Sequence, residues 1–300
     1  MTIYYMLVSM GTGKIGRFNG GLFVLLIFVQ CCYSVAEYES LTKELFLKRC
    51  KEFDDRGGSN SCESLWTEFL RAFECPSTDC SYVSSHTKYE NYVALMPPTT
   101  PKNKTMFFSG RTKDAAYNIG KNCVHKDTIQ MTLLGHIFDE VSWCCSRNGH
   151  LDDICSQDKT CTDETAKLFW SQASHVYAEN ATGYTAVVLN GSSTRPPYPE
   201  NSIFTNVEVP GLTSNVVSMT AILVYDMNDR GNFIQTWRCN SQGSRLSDLQ
   251  VALTKKNIQY NCTDDLWFSS EECNSAIIST PFNTSLVVLM ILLQQYTLWS

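Results

Sequence analysis

Fourteen cysteines in 300 residues constrain this chain more than any other feature. Cys31 and Cys32 fall in a segment expected to be removed. That leaves twelve: Cys50, Cys62, Cys75, Cys80, Cys123, Cys144, Cys145, Cys155, Cys161, Cys239, Cys262 and Cys273. An even count is what a disulfide framework requires, and such frameworks form in oxidising compartments. A zinc site would need paired C-x-x-C or Cys/His spacings, and His86, His125, His136, His150 and His175 provide no such pattern. Disulfides are therefore expected, and no metal.

The two ends point to the same compartment. Lys14 and Arg17 precede an apolar run from Leu22 to Val29 and the small residues Ser34 and Ala36. That is the layout of a signal peptide, here residues 1–36. The run is too short for the roughly 20 apolar residues of a membrane span. Gly11, Gly13 and Gly16 spell G-x-G-x-x-G, but that fingerprint acts only between a strand and a helix N-terminus, and these glycines sit in the segment to be removed. N-x-S/T sequons at Asn103, Asn180, Asn190, Asn261 and Asn283 predict glycosylation. The chain closes on an apolar run from Leu286 to Leu293 with no basic cluster. Residues 275–300 thus read as a GPI-attachment signal, with the anchor around Asn274, Ser275 and Ala276 and Ile277 to Ser285 as spacer. A last buried helix or strand is the other reading of this tail, which Gln294 and Gln295 interrupt. The expected location is the outer face of the cell membrane.

Between these ends lies enough apolar sequence for a real core, at 43% hydrophobic and 18% charged. The net charge of −6 and the scattered Lys and Arg leave no basic face for nucleic acid. Leu65, Trp66, Phe69, Leu70 and Phe73 keep helical spacing, as do Ile129, Leu133, Leu134, Ile137, Phe138 and Val141. A third helix, carrying Leu168, Phe169, Ala173, Val176 and Tyr177, is expected behind Thr162 and Asp163 as caps. After Asn180 the texture turns to β-branched runs at Tyr184 to Leu189, Ser218 to Tyr225 and Ile258 to Cys262, with a helix from a Ser247 cap to Lys256. The Pro-rich stretches Pro97 to Pro101 and Pro196 to Pro199 are loops. The predicted fold is disulfide-rich, two-lobed α/β. A mainly helical lobe, 37–180, is followed by a lobe, 181–274, with a small, mostly parallel sheet flanked by helices, and the active-site cleft lies between them.

Taken alone, few residues announce catalysis. Glu208 stands between Val207 and Val209, a setting that either raises a carboxylate's pKa or marks a paired structural charge. Trp170 in mid-helix and Phe108 beside Ser109 and Arg111 are core aromatics on spacing alone, and Asp139 and Glu140 fit a solvated helix face.

Read together, these segments resemble the ADP-ribosyl cyclase / NAD glycohydrolase ectoenzyme family from about Cys50 to Cys262. The likeness is carried by Thr132-Leu133-Leu134-Gly135 continuing to Asp139-Glu140-Val141-Ser142-Trp143-Cys144. Leu168-Phe169-Trp170, Val188-Leu189-Asn190-Gly191-Ser192, and Ser202-Ile203-Phe204 leading to Val207-Glu208-Val209 add to it. The resemblance implies Glu208 as catalytic carboxylate and Trp170 and Phe108 as aromatics on the nicotinamide ring. It implies Ser109 and Arg111 near the phosphates, Asp139 near the carboxamide, and Gln130 and Ser202 as further substrate contacts. The implied activity is extracellular NAD(P) glycohydrolysis, with the dinucleotide as substrate and no cofactor. A predominant cyclase and a non-catalytic surface receptor on the same scaffold are the alternatives. Two departures stand out: Gln130 and Met131 replace an acidic pair in the T-L-E-D segment, which puts the balance of hydrolysis and cyclisation in doubt, and Phe108 replaces a common Trp. The family's cysteine pattern implies Cys50–Cys62, Cys80–Cys161, Cys144–Cys155 and Cys239–Cys262, leaving Cys75, Cys123, Cys145 and Cys273 unassigned.

Overall fold

A computed structural model of the chain describes residues 39–54, 61–75, 86–109, 111–152, 155–224 and 237–264. The expected signal peptide and anchor signal, Cys31, Cys32, Cys80, Cys273 and Asn283 lie outside the described residues. The elements begin with β1 (Glu39–Ser40), α1 (Lys43–Asp54), α2 (Cys62–Ala72), α3 (His86–Leu95), β2 (Met106–Phe108), α4 (Lys113–Ile119) and α5 (Leu133–Phe138). They continue through β3 (Val141–Ser142), β4 (Ser146–Arg147), β5 (His150–Leu151), α6 (Lys159–Glu179) and β6 (Gly183–Asn190). Last come α7 (Val209–Gly211), β7 (Val216–Val224), α8 (Leu246–Thr254) and β8 (Gln259–Asp264).

The helical stripe of α2 buries Leu65, Trp66 and Phe69 on one face, as its spacing requires. Phe69 is fully buried and meets Phe46 from α1, Tyr92 from α3 and Phe138 from α5 at ring distances of 6.0, 5.7 and 5.3 Å. Trp143 and Phe169 join the same aromatic cluster, so one core ties together helices far apart in sequence.

The sheet is parallel throughout, in the order β2-β6-β7-β8. Strand periodicity divides its faces. Val187, Leu189, Ala221 and Leu223 point into the aromatic core, while Ala186, Val188, Ile222 and Val224 meet Ala116 and Ile119 of α4 on the other side. Both faces are covered, which is why the strands read as nearly continuous apolar runs. β2 comes from the segment expected as the helical lobe, yet it is an edge of this sheet.

Three local expectations change. The run from Ile129 to Val141 is not one helix. A 3-10 turn (Ile129–Met131) is separated from α5 by Thr132, whose backbone is extended (φ −84°, ψ 162°) and whose hydroxyl accepts from Gly135 N at 3.2 Å. α6 begins earlier than the Thr162 cap predicted, because Asp158 accepts from Thr160 N at 2.9 Å and Cys161 N at 3.4 Å. α8 starts behind Arg245, which is left-handed at φ 59°, rather than behind Ser247.

Disulfides Cys50–Cys62 and Cys239–Cys262 form as the family pattern implied. The others are corrected: Cys144 bonds Cys161, not Cys155, so Cys161 is not left for Cys80, and Cys75 bonds Cys145. The physical reason is crowding. Cys75, Cys144, Cys145, Cys155 and Cys161 share one buried cluster, and the sulfurs of Cys144, Cys145 and Cys155 lie within 4.8 Å of one another. Order along the chain cannot choose partners there. These sulfurs are half-cystines and offer no thiolate to a metal.

Candidate active site

Ligands bind outside the carboxyl ends of parallel strands, where loops part and backbone groups are free. In this protein the ends of β2 and β6 open onto a cavity of about 910 Å³ lined by Arg111, Asn190, Arg195, Ser202 and Arg245, among others. Ser109 N continues the β2 ladder by donating to Val188 O at 3.0 Å, and the Thr112 hydroxyl closes the turn on the carbonyls of Ser109 and Val188, both at 2.8 Å. Arg111 takes a left-handed backbone, φ 66°. Such a backbone in a non-glycine residue costs on the order of 1–3 kcal/mol.

Glu208 closes a π-helical turn, Phe204–Glu208, that runs directly into α7. Ser202 starts this turn: its hydroxyl donates to Thr205 Oγ1 at 2.9 Å and accepts from Thr205 N at 3.1 Å. The implied substrate contact at Ser202 is therefore also the cap of the segment carrying Glu208. Packing against α6 is close, since a Cβ at Gly211 would lie 3.1 Å from His175 Nδ1 and 3.3 Å from the Ala178 methyl. Glu208 is 6% exposed, and burial pushes its carboxyl up to about 8. The Ser174 hydroxyl, hydrogen-bonded to it, offsets part of that rise.

Sequence reasoning missed Ser174. The signal was present, because Ser174 is four residues after Trp170 and so shares its face of α6. Trp170 is half-buried, edge-on to Phe169 with ring centres 5.4 Å apart, and Phe108 is half-buried against both cores.

A second cavity, about 400 Å³, is lined by Gln130, Asp139, Lys113, Arg49 and His136 with their neighbours. Asp139 is not the free acid of a solvated face. Lys113 pairs with it at 3.3 Å and with Glu140 at 2.5 Å, while Arg49 donates to the carbonyls of Asp139 (2.6 Å) and Ile137 (3.1 Å). Burial raises the Asp139 carboxyl, and the Lys113 ammonium holds Glu140 below its usual range. Two adjacent carboxylates thereby differ in readiness to hold a proton.

The structure thus brings Arg111 and Ser202 to one cavity and Gln130 and Asp139 to another, while Glu208, Trp170 and Phe108 line neither. Three predicted site residues nevertheless share an uncommon property. Ser109 Oγ, Gln130 Oε1 and Glu208 Oε2 are buried without a hydrogen-bond partner among the described residues. Each costs about 1–3 kcal/mol of desolvation left uncompensated, which a bound polar ligand would recover. Of the sequons, Asn103, Asn180 and Asn261 are exposed, whereas Asn190 is half-buried at the larger cavity, its Oδ1 accepting from Ser192 N at 2.9 Å.

The family model described as ADP-ribosyl cyclase matches residues 39–277. The chain is 28% identical over 233 residues to the ADP-ribosyl cyclase/cyclic ADP-ribose hydrolase of Aplysia kurodai, covering 74% of this chain and 79% of that protein. It is 30% identical over 210 residues to ADP-ribosyl cyclase/cyclic ADP-ribose hydrolase 1 of Oryctolagus cuniculus, covering 69% and 67%. Among solved structures, porcine CD38 complexed with a covalent intermediate, ribo-F-ribose-5'-phosphate, superposes with a TM-score of 0.64 at 29% identity, over 77% of this chain and all of that one.

Proposed function

This chain belongs to the ADP-ribosyl cyclase family, and from that premise we propose that it is a cell-surface NAD(P) glycohydrolase releasing nicotinamide and ADP-ribose. The observation that carries the reading is Glu208: a buried carboxylate beside the Ser174 hydroxyl, its Oε2 without a hydrogen-bond partner among the described residues.

The chemistry asks for one such group. Nicotinamide in NAD is already a cation and departs without a proton donor, unlike the alkoxide of an ordinary glycoside, which needs a second carboxyl as acid. As the bond stretches, positive charge grows on the ribose, and a fixed anion counts most at that moment. In the free enzyme burial favours the protonated carboxyl, with the pKa at about 8. A pyridinium ring brought alongside favours the anion instead, so substrate binding prepares its own catalyst. Trp170 and Phe108 contribute cation–π attraction of roughly 0.5–2 kcal/mol each to that ring. Arg111 offers a planar donor fork to the diphosphate. The covalent intermediate described for porcine CD38 supports a ribosyl group held on the enzyme, and Glu208 is the carboxylate we assign to it. Water attacking that intermediate gives ADP-ribose, and the adenine nitrogen gives a cyclic product.

The signal peptide of residues 1–36 and the anchor signal of residues 275–300 belong to the same proposal, as does a location on the outer leaflet. Release of the protein from cells by a phosphatidylinositol-specific phospholipase checks the anchor. The primary experiment is incubation of the oxidised protein with NAD and separation of the products. Nicotinamide with ADP-ribose is expected. Mostly cyclic product would make it a cyclase, and folded, oxidised protein releasing no nicotinamide would overturn the enzymatic reading in favour of a receptor.

A further inference from the structure

The larger cavity holds more guanidinium groups than the single one assigned to the diphosphate. Three guanidinium groups, Arg111, Arg195 and Arg245, line it with a single carboxylate, Glu200. That carboxylate is already engaged, because Arg245 holds Glu200 at 2.7 Å and Asp248 at 2.9 Å. Arg111 and Arg195 are exposed and form no ion pair among the described residues. In a chain of net charge −6, two uncompensated guanidinium groups in one concavity mark an anion site.

Arg195 also stands on a built wall. Its N–H donates to Ser193 Oγ at 3.0 Å. Trp237 pins the same loop twice, donating from Nε1 to Ser193 O at 2.8 Å and from its backbone N to Gly191 O at 3.0 Å. With Arg111 taken by the diphosphate, Arg195 remains for a second anionic group.

Resting on the reading of this cleft as a dinucleotide site, we propose that Arg195 is a specificity-determining residue that binds the 2'-phosphate of NADP and makes the enzyme prefer NADP to NAD. A phosphomonoester carries close to two negative charges near neutral pH, its second pKa being about 6. Its oxygens suit the guanidinium fork in a way that the neutral 2'-hydroxyl of NAD does not. Arg245, balanced by Glu200 and Asp248, shapes the cavity without adding free charge.

The test titrates the oxidised full chain calorimetrically with 2',5'-ADP and with 5'-ADP, alongside initial rates with NADP and NAD. The 2'-phosphorylated nucleotide is expected to bind at least about tenfold more tightly. R195A should lose that margin and R195K keep part of it, and the NADP-to-NAD ratio of kcat/KM should fall correspondingly in R195A. Equal binding of the two nucleotides, or a margin that survives in R195A, overturns the proposal. Inorganic phosphate binding as tightly as 2',5'-ADP overturns it too, by marking a free-anion site. The calorimetric arm needs no turnover, so absence of nicotinamide release would sink the glycohydrolase reading while the nucleotide margin still decides this one.

Discussion

Glu208 is a carboxylate whose free energy depends strongly on what lies beside it. Its pKa is lifted from 4.5 to about 8 by burial, so kcat/KM should climb with pH until about 8 and then level, since that parameter reports the free enzyme. The limb in kcat should lie at lower pH, because the bound cation favours ionisation. Steady-state rates across pH check both. Ser174→Ala removes the hydrogen bond that favours the anion, and the acidic limb of kcat/KM should move to higher pH. An unmoved limb would show that Ser174 does not act through Glu208. Glu208→Gln should lower turnover by roughly a thousandfold or more and also change stability in a defined direction. A folded pKa above the unfolded one contributes stability that is complete below 4.5 and is lost as pH rises through about 8. Relative to the native protein, E208Q should therefore gain stability over that window, and melting curves at about pH 5 and about pH 9 read the gain directly.

At the scale of elements, the two segments that present the site depend on close backbone approach. A Cβ at Gly135 would lie 1.8 Å from Ile129 O and 2.6 Å from the Gln130 Cα. The first residue of the T-L-L-G string caps α5 and the last lets the helix press on the turn that carries Gln130. Gly135→Ala must push that turn away and should cost about 2–3 kcal/mol. Chemical denaturation measures it, and a loss under a few tenths would mean that the turn yields freely. The helical spacing from Ile129 to Val141 was legible because the buried positions do follow it in part, but the break at Thr132 was not. A threonine inside a periodic run looks like any helical residue until its hydroxyl is seen accepting from Gly135 N.

The described residues are held by one aromatic core, a sheet covered on both faces, and disulfides that close separate loops. Cys239–Cys262 spans 23 residues and fastens the approach to α8 onto the sheet's last strand. Replacing both cysteines by alanine should cost about 3 kcal/mol through freed chain entropy in the unfolded state, read by denaturation of the double variant beside native protein. Mild reduction should abolish activity, and a reduction-insensitive enzyme would contradict the framework. Peptide mapping without reduction should recover Cys144 joined to Cys161; a Cys144–Cys155 peptide would restore the pairing that the family pattern implied.

The amino-acid sequence by itself determined the fold class, the parallel sheet and the identity of the residues worth testing, because periodicity, β-branched runs and ordered motifs are local properties. Glu208 could be named without coordinates only through the family resemblance, which Ser202-Ile203-Phe204 leading to Val207-Glu208-Val209 helps to carry. Only the tertiary structure decided the environment of each group. Lys113 and Arg49 are 26 and 90 residues from Asp139, yet they make it a paired carboxylate. Five cysteines spread from Cys75 to Cys161 become one cluster with partners chosen by packing. Burial, pairing and pKa arise from atoms close in space, and chain order does not encode which distant atoms those will be.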